Sequence, residues 1–343
     1  MLWMTMFLGC VGISAQNFQN QESMEANAMI DPTQQLYEGL EIAIASNEQP
    51  FAVFDADNTI WKYDIEEGLL AWMSANGQIS MEKIPAHLFP ITPNTDATPY
   101  SYYEQLSAID HSLGYLWAAQ VFSGFTLGEL RKHVQDMMSS SEAMIVQLPN
   151  QESTEVQIPK IYPKQQELIR YLQENGVAVW VVSASLEEVV RMVVSDPQYG
   201  LNIPPEQVIG VNLMLHKPNG EATVGALERR AGKKGLEYYF SEERMSWKMG
   251  DYPFAPMTWY AGKVAAIKEW IHPSRRPILV AGDSPNDFYM QFYSDAIRLR
   301  IHRKDSHKAQ LEERKNVWLE GSADENIAAN WIEFTAEELG VSN

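Results

Sequence analysis

The chain has 343 residues, of which 45% are hydrophobic, and its formal net charge at pH 7 is −19. This length and composition predict a real hydrophobic core, in one large domain with insertions or in two domains. So negative a charge argues against a nucleic acid as partner, because phosphate backbones require a basic face. The one cysteine, Cys10, excludes an intramolecular disulfide.

The N-terminus has the apolar character of an export signal. Residues 1–15 are almost wholly apolar and a polar stretch follows, so we expect a signal peptide that is cut near Ala15. A lipoprotein signal with Cys10 acylated is one alternative, and a disordered N-terminus is another. Residues 16–32 are predicted to be a linker, and no later stretch reaches the ~18 apolar residues that a membrane span requires. We therefore expect an exported protein, either periplasmic or anchored to a membrane as a lipoprotein.

Helical patterns and one apolar strand occupy the first half of the chain. A helix is predicted over 31–45, with proline in its first turn, and the apolar run 51–54 predicts a strand. Residues 60–160 form a long block with helical patterns, for example at 68–75 and 101–121, and a proline-rich loop lies between these two.

The second half alternates strands with helices. Residues 163–175 are a predicted amphipathic helix, and the continuous apolar run 177–182 is typical of a parallel strand covered on both faces. A helix follows, and residues 196–258 are then predicted to be an insertion in the core, with a hairpin around Gly220. The apolar run 277–281 is the last predicted strand, and a polar loop and a helix come after it.

This alternation predicts an α/β fold with a parallel sheet and right-handed crossovers. In such sheets, ligands bind outside the carboxyl ends of the strands. The three predicted strands are all followed by polar side chains, which we therefore expect to point into one crevice. These side chains are those of Asp55, Asp57, Ser183, Asp283 and Asp287.

Each of these polar positions also has a structural explanation. Asp55 and Asp57 could form an Asx turn, and Asp287 could favour the dipole of the helix that it precedes. Ser185 begins the sequence SLEE, which fits a capping box, so we predict that Ser185 caps a helix. We therefore assign the functional role to Ser183, which ends the predicted strand.

Lys263 favours a functional site over these structural explanations. It lies in the first turn of its predicted helix, where a cation opposes the helix dipole at a cost of ~0.3–1 kcal/mol. A carboxylate or phosphate nearby would neutralise it, and a solvated surface lysine is the alternative. Four carboxylates and one ammonium leave a negative excess, which Mg²⁺ would cancel while binding a phosphate oxygen. The sequence therefore predicts Mg²⁺ and a phosphoryl group in the crevice.

Four short motifs resemble those of the haloacid dehalogenase superfamily: DADNT at 55–59, Ser183, Lys263 and GDSPND at 282–287. They occur in the expected order, each at a predicted strand end or helix start. The second acid of the first motif, Asp57, is a point of resemblance to the phosphatase branch of that superfamily.

The resemblance implies a particular division of the chain. A Rossmann-like core is expected over 33–60 and 161–343, including the insertion at about 196–258. A helical cap is expected over 61–160, inserted directly after the first strand.

For the chemistry, the resemblance implies a phosphoaspartate mechanism. Asp55 attacks phosphorus, and Asp57 acts as general acid and then as general base. Ser183 binds a phosphoryl oxygen, and Lys263 balances the negative charge. The remaining assignments are the Mg²⁺ ligands Asp55, Asp57 (through its backbone carbonyl) and Asp283, and the supporting residues Asn286 and Asp287.

The stretch WKYDIEE at 61–67 combines aromatic and acidic side chains directly after the first motif. Aromatic faces with carboxylates suit a cation, especially a quaternary ammonium. The arrangement DADNT…YDIEE resembles the bacterial phosphorylcholine phosphatases, an exported branch of the superfamily. This resemblance implies that Glu66 and Glu67 face a choline head group, with Trp259 and Tyr260 as candidate aromatic partners. Alternatively, the acids only favour the dipole of a helix start.

The expected function is that of a Mg²⁺-dependent phosphomonoesterase for a small ester with a cationic head group, such as phosphocholine. Phosphoserine, phosphoethanolamine or another small metabolite is the alternative substrate, and Arg131 of the cap could then pair with a substrate carboxylate. A non-catalytic binding protein for phosphorylated ligands is a remote alternative. The expected partner is thus a small-molecule phosphate ester.

Overall fold

The computed structural model describes residues 31–149, 152–321 and 330–342, with only the backbone described for 318–321. The signal predicted over 1–15, the lipid site predicted at Cys10 and most of the predicted linker lie outside the described residues. Among the described helices, none is both long enough and apolar enough to cross a membrane.

Eight of the twelve strands in the described part of the chain form a central sheet. The strands, in chain order, are β1 (Phe51–Phe54), β2 (Trp61–Lys62), β3 (Met144–Gln147), β4 (Ser153–Val156), β5 (Lys160–Ile161), β6 (Ala178–Leu186), β7 (Val208–His216), β8 (Ala222–Thr223), β9 (Lys248–Phe254), β10 (Leu279–Gly282), β11 (Ile297–His302) and β12 (Trp331–Thr335). The order in the central sheet is β12-β11-β10-β1-β6-β7-β8, and β9 also pairs with β7. Strands from β12 to β7 run parallel, whereas β8 and β9 are antiparallel to β7. The predicted α/β fold with a Rossmann-like parallel sheet is confirmed.

β1 lies in the middle of this sheet, and all four of its residues are buried. Val53 is opposite Val280 of β10 on one side and Trp180 of β6 on the other. A strand covered on both faces has to be apolar throughout, which explains the run FAVF. The Asp55 N–H still donates to the carbonyl of Ala281 at 2.9 Å, so the first polar residue emerges at the carboxyl edge of the sheet.

Helices cover both the sheet and the cap. In chain order they are α1 (Pro32–Ala45), α2 (Ile65–Ala75), α3 (Pro99–Ile109), α4 (His111–Gln120), α5 (Leu127–Met138), α6 (Pro163–Glu174), α7 (Glu187–Val194), α8 (Gly225–Arg230), α9 (Leu236–Tyr239), α10 (Glu242–Met245), α11 (Ala261–Ala266), α12 (Phe288–Phe292) and α13 (Asp305–Gly321). Asp31 caps α1 by accepting a hydrogen bond from the Thr33 N–H at 3.1 Å, at the predicted helix start. A π-helical turn over Ile267–Ile271 continues α11.

The segment between β2 and β5 is a cap inserted after β1, as predicted. β2 and β5 pair antiparallel, so the chain enters and leaves the cap side by side. The cap contains α2 to α5 and also a hairpin of β3 and β4, which the helical prediction did not include. The helix predicted over 101–121 is two helices, because the backbone at Asp110 is extended with φ −158°. The side chain of Asp110 then caps α4 by accepting the Ser112 N–H at 2.7 Å.

The structure corrects the insertion predicted over 196–258, because this segment contains a strand of the central sheet. β7 pairs in parallel with β6, with Val208 opposite Val181. Glycine and asparagine interrupt the apolar run of β7, which hid the strand pattern. The hairpin predicted around Gly220 is present, since β7 pairs antiparallel with β8 and the Lys217 N–H donates to the Glu221 carbonyl at 2.8 Å.

A buried ionic network joins α7 to the segment that follows β7. Arg191 of α7 pairs with Glu188 at 2.5 Å, and Arg244 of α10 pairs with Glu188 at 2.7 Å and with Glu228 of α8 at 2.8 Å. Burial opposes ionisation of Glu188, but the charges of Arg191 and Arg244 outweigh it and lower the pKa of Glu188 to about 2. Because α7 directly follows β6, this network fixes a strand that reaches the site.

We expect Glu188→Gln to lower the free energy of unfolding at pH 7 by about 3–5 kcal/mol, because removing one partner of a buried ionic pair leaves the other without its countercharge. Urea unfolding followed by circular dichroism measures this loss. The contribution of the Glu188 charge is complete above its unfolded pKa of about 4.5 and is lost as the pH falls toward 2. The difference between wild type and variant should therefore shrink over that range.

The control is Asp136→Asn, which breaks an exposed pair with Lys132 and should cost less than about 1 kcal/mol. Equal losses in the two variants would contradict the stabilising role of the buried network.

Candidate active site

Polar residues at the carboxyl ends of β1, β6 and β10 meet at one edge of the sheet, where the cap covers them. Asp55, Asp57, Ser185 and Asp283 are among the residues that line a cavity of about 740 Å³, whereas Ser183 and Asp287 are fully buried and are not part of this lining. The core contributes Asp55, Asp57 and Asp283 to its lining, and the cap contributes side chains such as Glu67 and Tyr103. The structure thus brings the predicted acidic residues into one crevice.

Lys263 is fully buried between two of these acids. Its Nζ lies 2.6 Å from Asp55 Oδ1 and 2.7 Å from Asp287 Oδ1. Burial alone would lower the pKa of Lys263, but the charges of Asp287 and Asp55 outweigh it and raise the pKa above its usual value. Lys263 therefore stays protonated and neutralises part of the negative charge, which explains a cation in the first turn of α11.

Asp287 holds both Lys263 and the loop that follows β10. Its Oδ2 accepts the backbone N–H groups of Asp283 at 3.0 Å and Ser284 at 3.2 Å. Gly282 makes this approach possible, since a Cβ there would lie 2.5 Å from the Cβ of Asp287. With both oxygens occupied in this way, Asp287 serves as a support for the site.

The acidic cluster fits a hard cation. Carboxylate oxygens of Asp55, Asp283 and Asp287 lie within 4.8 Å of one another, and all three residues are buried. Asp283 Oδ2 accepts no hydrogen bond from the residues that the structure describes. Mg²⁺ in proteins takes oxygen ligands and uses one or two carboxylates. The residues therefore fit Mg²⁺, with Asp55 and Asp283 as the carboxylates that would bind it.

The Asp57 carboxyl lies outside this cluster and is held by three donors. Its Oδ1 accepts the Trp61 indole N–H and the Ile65 N–H, both at 2.8 Å, and its Oδ2 accepts the Ser185 hydroxyl at 2.6 Å. Burial and the charge of Asp64 raise the pKa of Asp57 to about 7, although these hydrogen bonds oppose the rise. A carboxyl that exchanges its proton near neutral pH is suited to general acid–base work. Metal binding by the Asp57 backbone carbonyl stays a prediction.

Ser185, predicted to cap a helix, lies at the site instead. β6 runs on to Leu186, and α7 then begins without a side-chain cap, so the capping assignment is wrong. Pairing with β7 extends β6 to this point, with Leu186 opposite Val211. Ser185 lines the cavity, whereas Ser183 is fully buried and its Oγ accepts the Ser185 N–H at 3.1 Å. Binding of a phosphoryl oxygen by Ser183 stays a prediction.

Three residues that line the cavity have left-handed backbone conformations, which are uncommon outside glycine. The φ angle is 56° at Asn58, 73° at Tyr63 and 50° at Tyr260. The Asn58 side chain accepts the Tyr63 N–H at 3.1 Å, and Asn286 Oδ1 accepts the Tyr260 N–H at 2.6 Å. Such strain persists where surrounding contacts fix it and concentrates at functional sites. Asn286 thus supports the site through Tyr260.

One side of the cavity, here called the acidic wall, consists of Asp64, Glu66 and Glu67. Asp64 caps α2 by accepting the N–H groups of Glu66 and Glu67, so the helix-start alternative is correct for Asp64. Glu66 Oε1 accepts the Leu186 N–H at 2.7 Å, and Glu67 Oε1 accepts the Tyr103 hydroxyl at 2.9 Å. Burial raises the pKa of all three carboxyls. A cation bound here would favour their ionised forms.

Tyrosines of the cap also line the cavity, and the sequence prediction missed them. Tyr100 and Tyr103 of α3 and Tyr115 of α4 lie there together with Tyr260. Trp259 does not line the cavity, and its ring centroid is 6.1 Å from that of Tyr115. Tyr100 and Tyr103 are three residues apart on one helix face, a spacing that could have indicated a shared role.

Basic residues near the start of α13 line a further part of the cavity, here called the basic wall: Arg303, Lys304 and His307. Arg303 Nη1 lies 3.1 Å from Asp283 Oδ2. The sequence prediction did not include these residues, because a run of mixed charges before a helix usually marks a solvated surface.

Comparison with known proteins places the chain in a family. No protein-family model matches it. The phosphorylcholine phosphatase of Pseudomonas aeruginosa is 36% identical over 310 residues, which cover 86% of this chain and 87% of that protein. A solved structure of unknown function from Anaerococcus prevotii has a TM-score of 0.57 at 21% identity, covering 88% of this chain and 95% of that one. Another, from Bordetella pertussis, has a TM-score of 0.50 at 11% identity, covering 78% and 96%.

The first of these relatives is similar enough, over enough of both chains, to establish common membership. The two solved structures support the fold alone. The protein is a phosphoric monoester hydrolase that belongs to the phosphorylcholine phosphatase family.

Proposed function

We propose that the protein is a Mg²⁺-dependent phosphomonoesterase that works through a phosphoaspartate, and that its substrate is a small phosphate ester with a cationic head group, such as phosphocholine. One observation carries the proposal: the buried carboxylate of Asp55 lies 2.6 Å from Lys263 Nζ, in the same cavity as Asp57 and the acidic wall. A nucleophile, a fixed cation and an acid–base group would thus share one enclosure.

The first half of the reaction is transfer of the phosphoryl group to the protein. A carboxylate oxygen of Asp55 forms a bond to phosphorus as the ester P–O bond breaks. The leaving alkoxide takes a proton from Asp57, whose pKa of about 7 allows it to carry one near neutral pH. Lys263 stays charged and stabilises the negative charge around Asp55.

The second half returns the protein to its starting form. Asp57, now a carboxylate, takes a proton from water as the water oxygen attacks phosphorus. The bond between phosphorus and Asp55 breaks, which releases inorganic phosphate. Ser185 donates to Asp57 Oδ2 at 2.6 Å and so fixes the orientation of the carboxyl group that exchanges the proton. Ser183 would bind a phosphoryl oxygen.

Mg²⁺ would be held by Asp55, Asp283 and the backbone carbonyl of Asp57. When bound, it supplies positive charge to the transferred phosphoryl group, as divalent ions do in phosphoryl transfer. The oxygen-only character of the site and the buried position of its carboxylates support this choice of ion.

The lining of the cavity supports a cationic head group. Carboxylates of the acidic wall lie beside the rings of Tyr100, Tyr103 and Tyr115, and aromatic faces with nearby negative charge attract ammonium groups. The relative from Pseudomonas aeruginosa is named for phosphorylcholine, which has such a head group.

Phosphoserine is the second candidate, because it carries both an ammonium group and a carboxylate. The acidic wall suits its ammonium group, and Arg303 and Lys304 line the cavity where a carboxylate could pair with them. Arg131, the cap residue expected to serve this purpose, is instead paired with Asp196 at 2.7 Å.

We also propose that the protein is exported, as a periplasmic protein or as a lipoprotein acylated at Cys10. The apolar character of residues 1–15 supports this proposal.

We expect Asp55→Asn to reduce turnover of a generic aryl phosphate to background, because an amide cannot act as the nucleophile. Asp57→Asn should reduce turnover by about 10²–10⁴-fold, the usual contribution of a general acid–base group. A chelator should abolish wild-type activity, and added Mg²⁺ should restore it. Asp136→Asn, on the exposed surface of α5, should leave turnover unchanged. Near-wild-type turnover by Asp55→Asn would show that the mechanism is wrong.

We expect the acidic wall to determine which phosphate ester the protein prefers. We expect Glu67→Gln to lower kcat/KM for phosphocholine about tenfold, because one charge that attracts the head group is lost, at a cost of ~1–2 kcal/mol. Turnover of an uncharged aryl phosphate should change less than about threefold. Glu104→Gln is the matched control, since Glu104 lies on the same cap but exposed and outside the cavity lining.

Rates on phosphocholine, phosphoethanolamine, phosphoserine and a sugar phosphate complete this test. A preference for phosphoserine would favour the second candidate. A preference for the sugar phosphate would end the cationic-head proposal.

A further inference from the structure

Arg303 reaches the metal-binding edge of the sheet from a neighbouring strand. β10 and β11 run parallel, with Gly282 opposite Arg300, so the residues that follow both strands emerge at the same edge. Arg303 Nη1 lies 3.1 Å from Asp283 Oδ2. The Asp283 side chain is only 3% exposed, whereas the Arg303 side chain is 39% exposed. A partly exposed cation thus lies against a buried carboxylate.

The carboxylates that could hold a cation differ in their existing partners. Asp55 and Asp287 share Lys263, which is fully buried and fixed by both of them. Asp283 is paired with Arg303, whose Nη1 lies 3.1 Å from Oδ2 but is not aligned for a hydrogen bond in the part of the chain that is described. A cation that enters the site therefore finds Asp55 and Asp287 paired with the buried Lys263, and Asp283 paired with the partly exposed Arg303.

We propose that Arg303 and Mg²⁺ compete for Asp283, so that Arg303 is a built-in counter-ion that lowers the affinity of the site for the metal. The inference rests on the proposed function, which supplies the metal. Mg²⁺ binds carboxylate oxygens at 2.0–2.1 Å in a strict geometry. A guanidinium 3.1 Å from Oδ2 of the same carboxylate opposes metal binding through its positive charge. Metal binding and the Arg303–Asp283 pair are therefore mutually antagonistic.

The cavity can hold the Arg303 side chain after it leaves Asp283. Arg303 already lines the cavity together with the acidic wall, and its side chain is 39% exposed. Burial raises the pKa of Asp64 and of Glu67, and the charge of Arg303 opposes that rise, so both acids feel the guanidinium. The released side chain would stay in the cavity, where the phosphate group of a substrate could pair with it.

The test is a calorimetric titration of chelator-treated full-length protein with Mg²⁺, in the absence of substrate. We expect Arg303→Met and Arg303→Gln to bind Mg²⁺ about threefold to tenfold more tightly than wild type. Both variants remove a partly exposed positive charge from beside Asp283, the proposed metal ligand. Arg303→Lys keeps the charge and should stay within about twofold of wild type. Lys304→Met is the matched control, which removes a cavity cation not paired with Asp283, and should also change the affinity less than about twofold.

The same series predicts a second signature in thermal unfolding. Chelator-treated Arg303→Met should unfold at a lower temperature than wild type, because Asp283 loses its partner, and added Mg²⁺ should remove the difference. Unchanged or weaker Mg²⁺ affinity in both neutral variants would overturn the competition while leaving the proposed function intact. Absence of Mg²⁺ binding in wild type and variants alike would overturn the proposed metal dependence, and the competition with it.

Discussion

One buried lysine between two carboxylates is the interaction on which the rest of the site depends. Carboxylate oxygens of Asp55, Asp283 and Asp287 lie within 4.8 Å of one another in a buried environment, where like charges repel strongly. Lys263 offsets that repulsion through contacts of 2.6 Å and 2.7 Å to Asp55 and Asp287. The close approach of Asp287 to Gly282 ties the same lysine to the loop after β10. A single ammonium therefore aligns two neighbouring strands and fixes the proposed nucleophile beside the proposed metal ligands.

In the proposed function, the cap selects the substrate. The parallel sheet supplies Asp55, Asp57 and Asp283, which suit phosphoryl transfer irrespective of what the phosphate is attached to. The cap closes the cavity with carboxylates and tyrosine rings on elements that follow β1, so the leaving group meets surfaces that the core does not provide. Because β2 and β5 run side by side, the cap is joined to the core by two adjacent connections.

Short-range signals in the sequence predicted much of the fold and part of the site. Continuous apolar runs identified three strands of the parallel sheet, and the order of the motifs indicated the cap. Lys263 was predicted because its place in a helix is unfavourable without a nearby anion. Ser185 was misassigned because pairing with β7 extends β6 beyond the point where its local pattern predicts a helix cap. Tyr103 and Arg303 were missed because only long-range packing brings α3 and the start of α13 to the cavity. The spacing of Tyr100 and Tyr103 indicates a shared helix face, but not the cavity that this face lines.

The central claim is that Asp55 accepts the phosphoryl group beside a bound divalent ion. A crystal of the protein soaked with Mg²⁺ and beryllium fluoride tests it most directly, since fluoroberyllate attached to a carboxylate imitates a phosphoaspartate. We expect density for the beryllium group on the carboxylate of Asp55, with Mg²⁺ bound by Asp55 and Asp283. Carboxylates that point into separate regions, with neither the beryllium group nor Mg²⁺ bound, would contradict the claim.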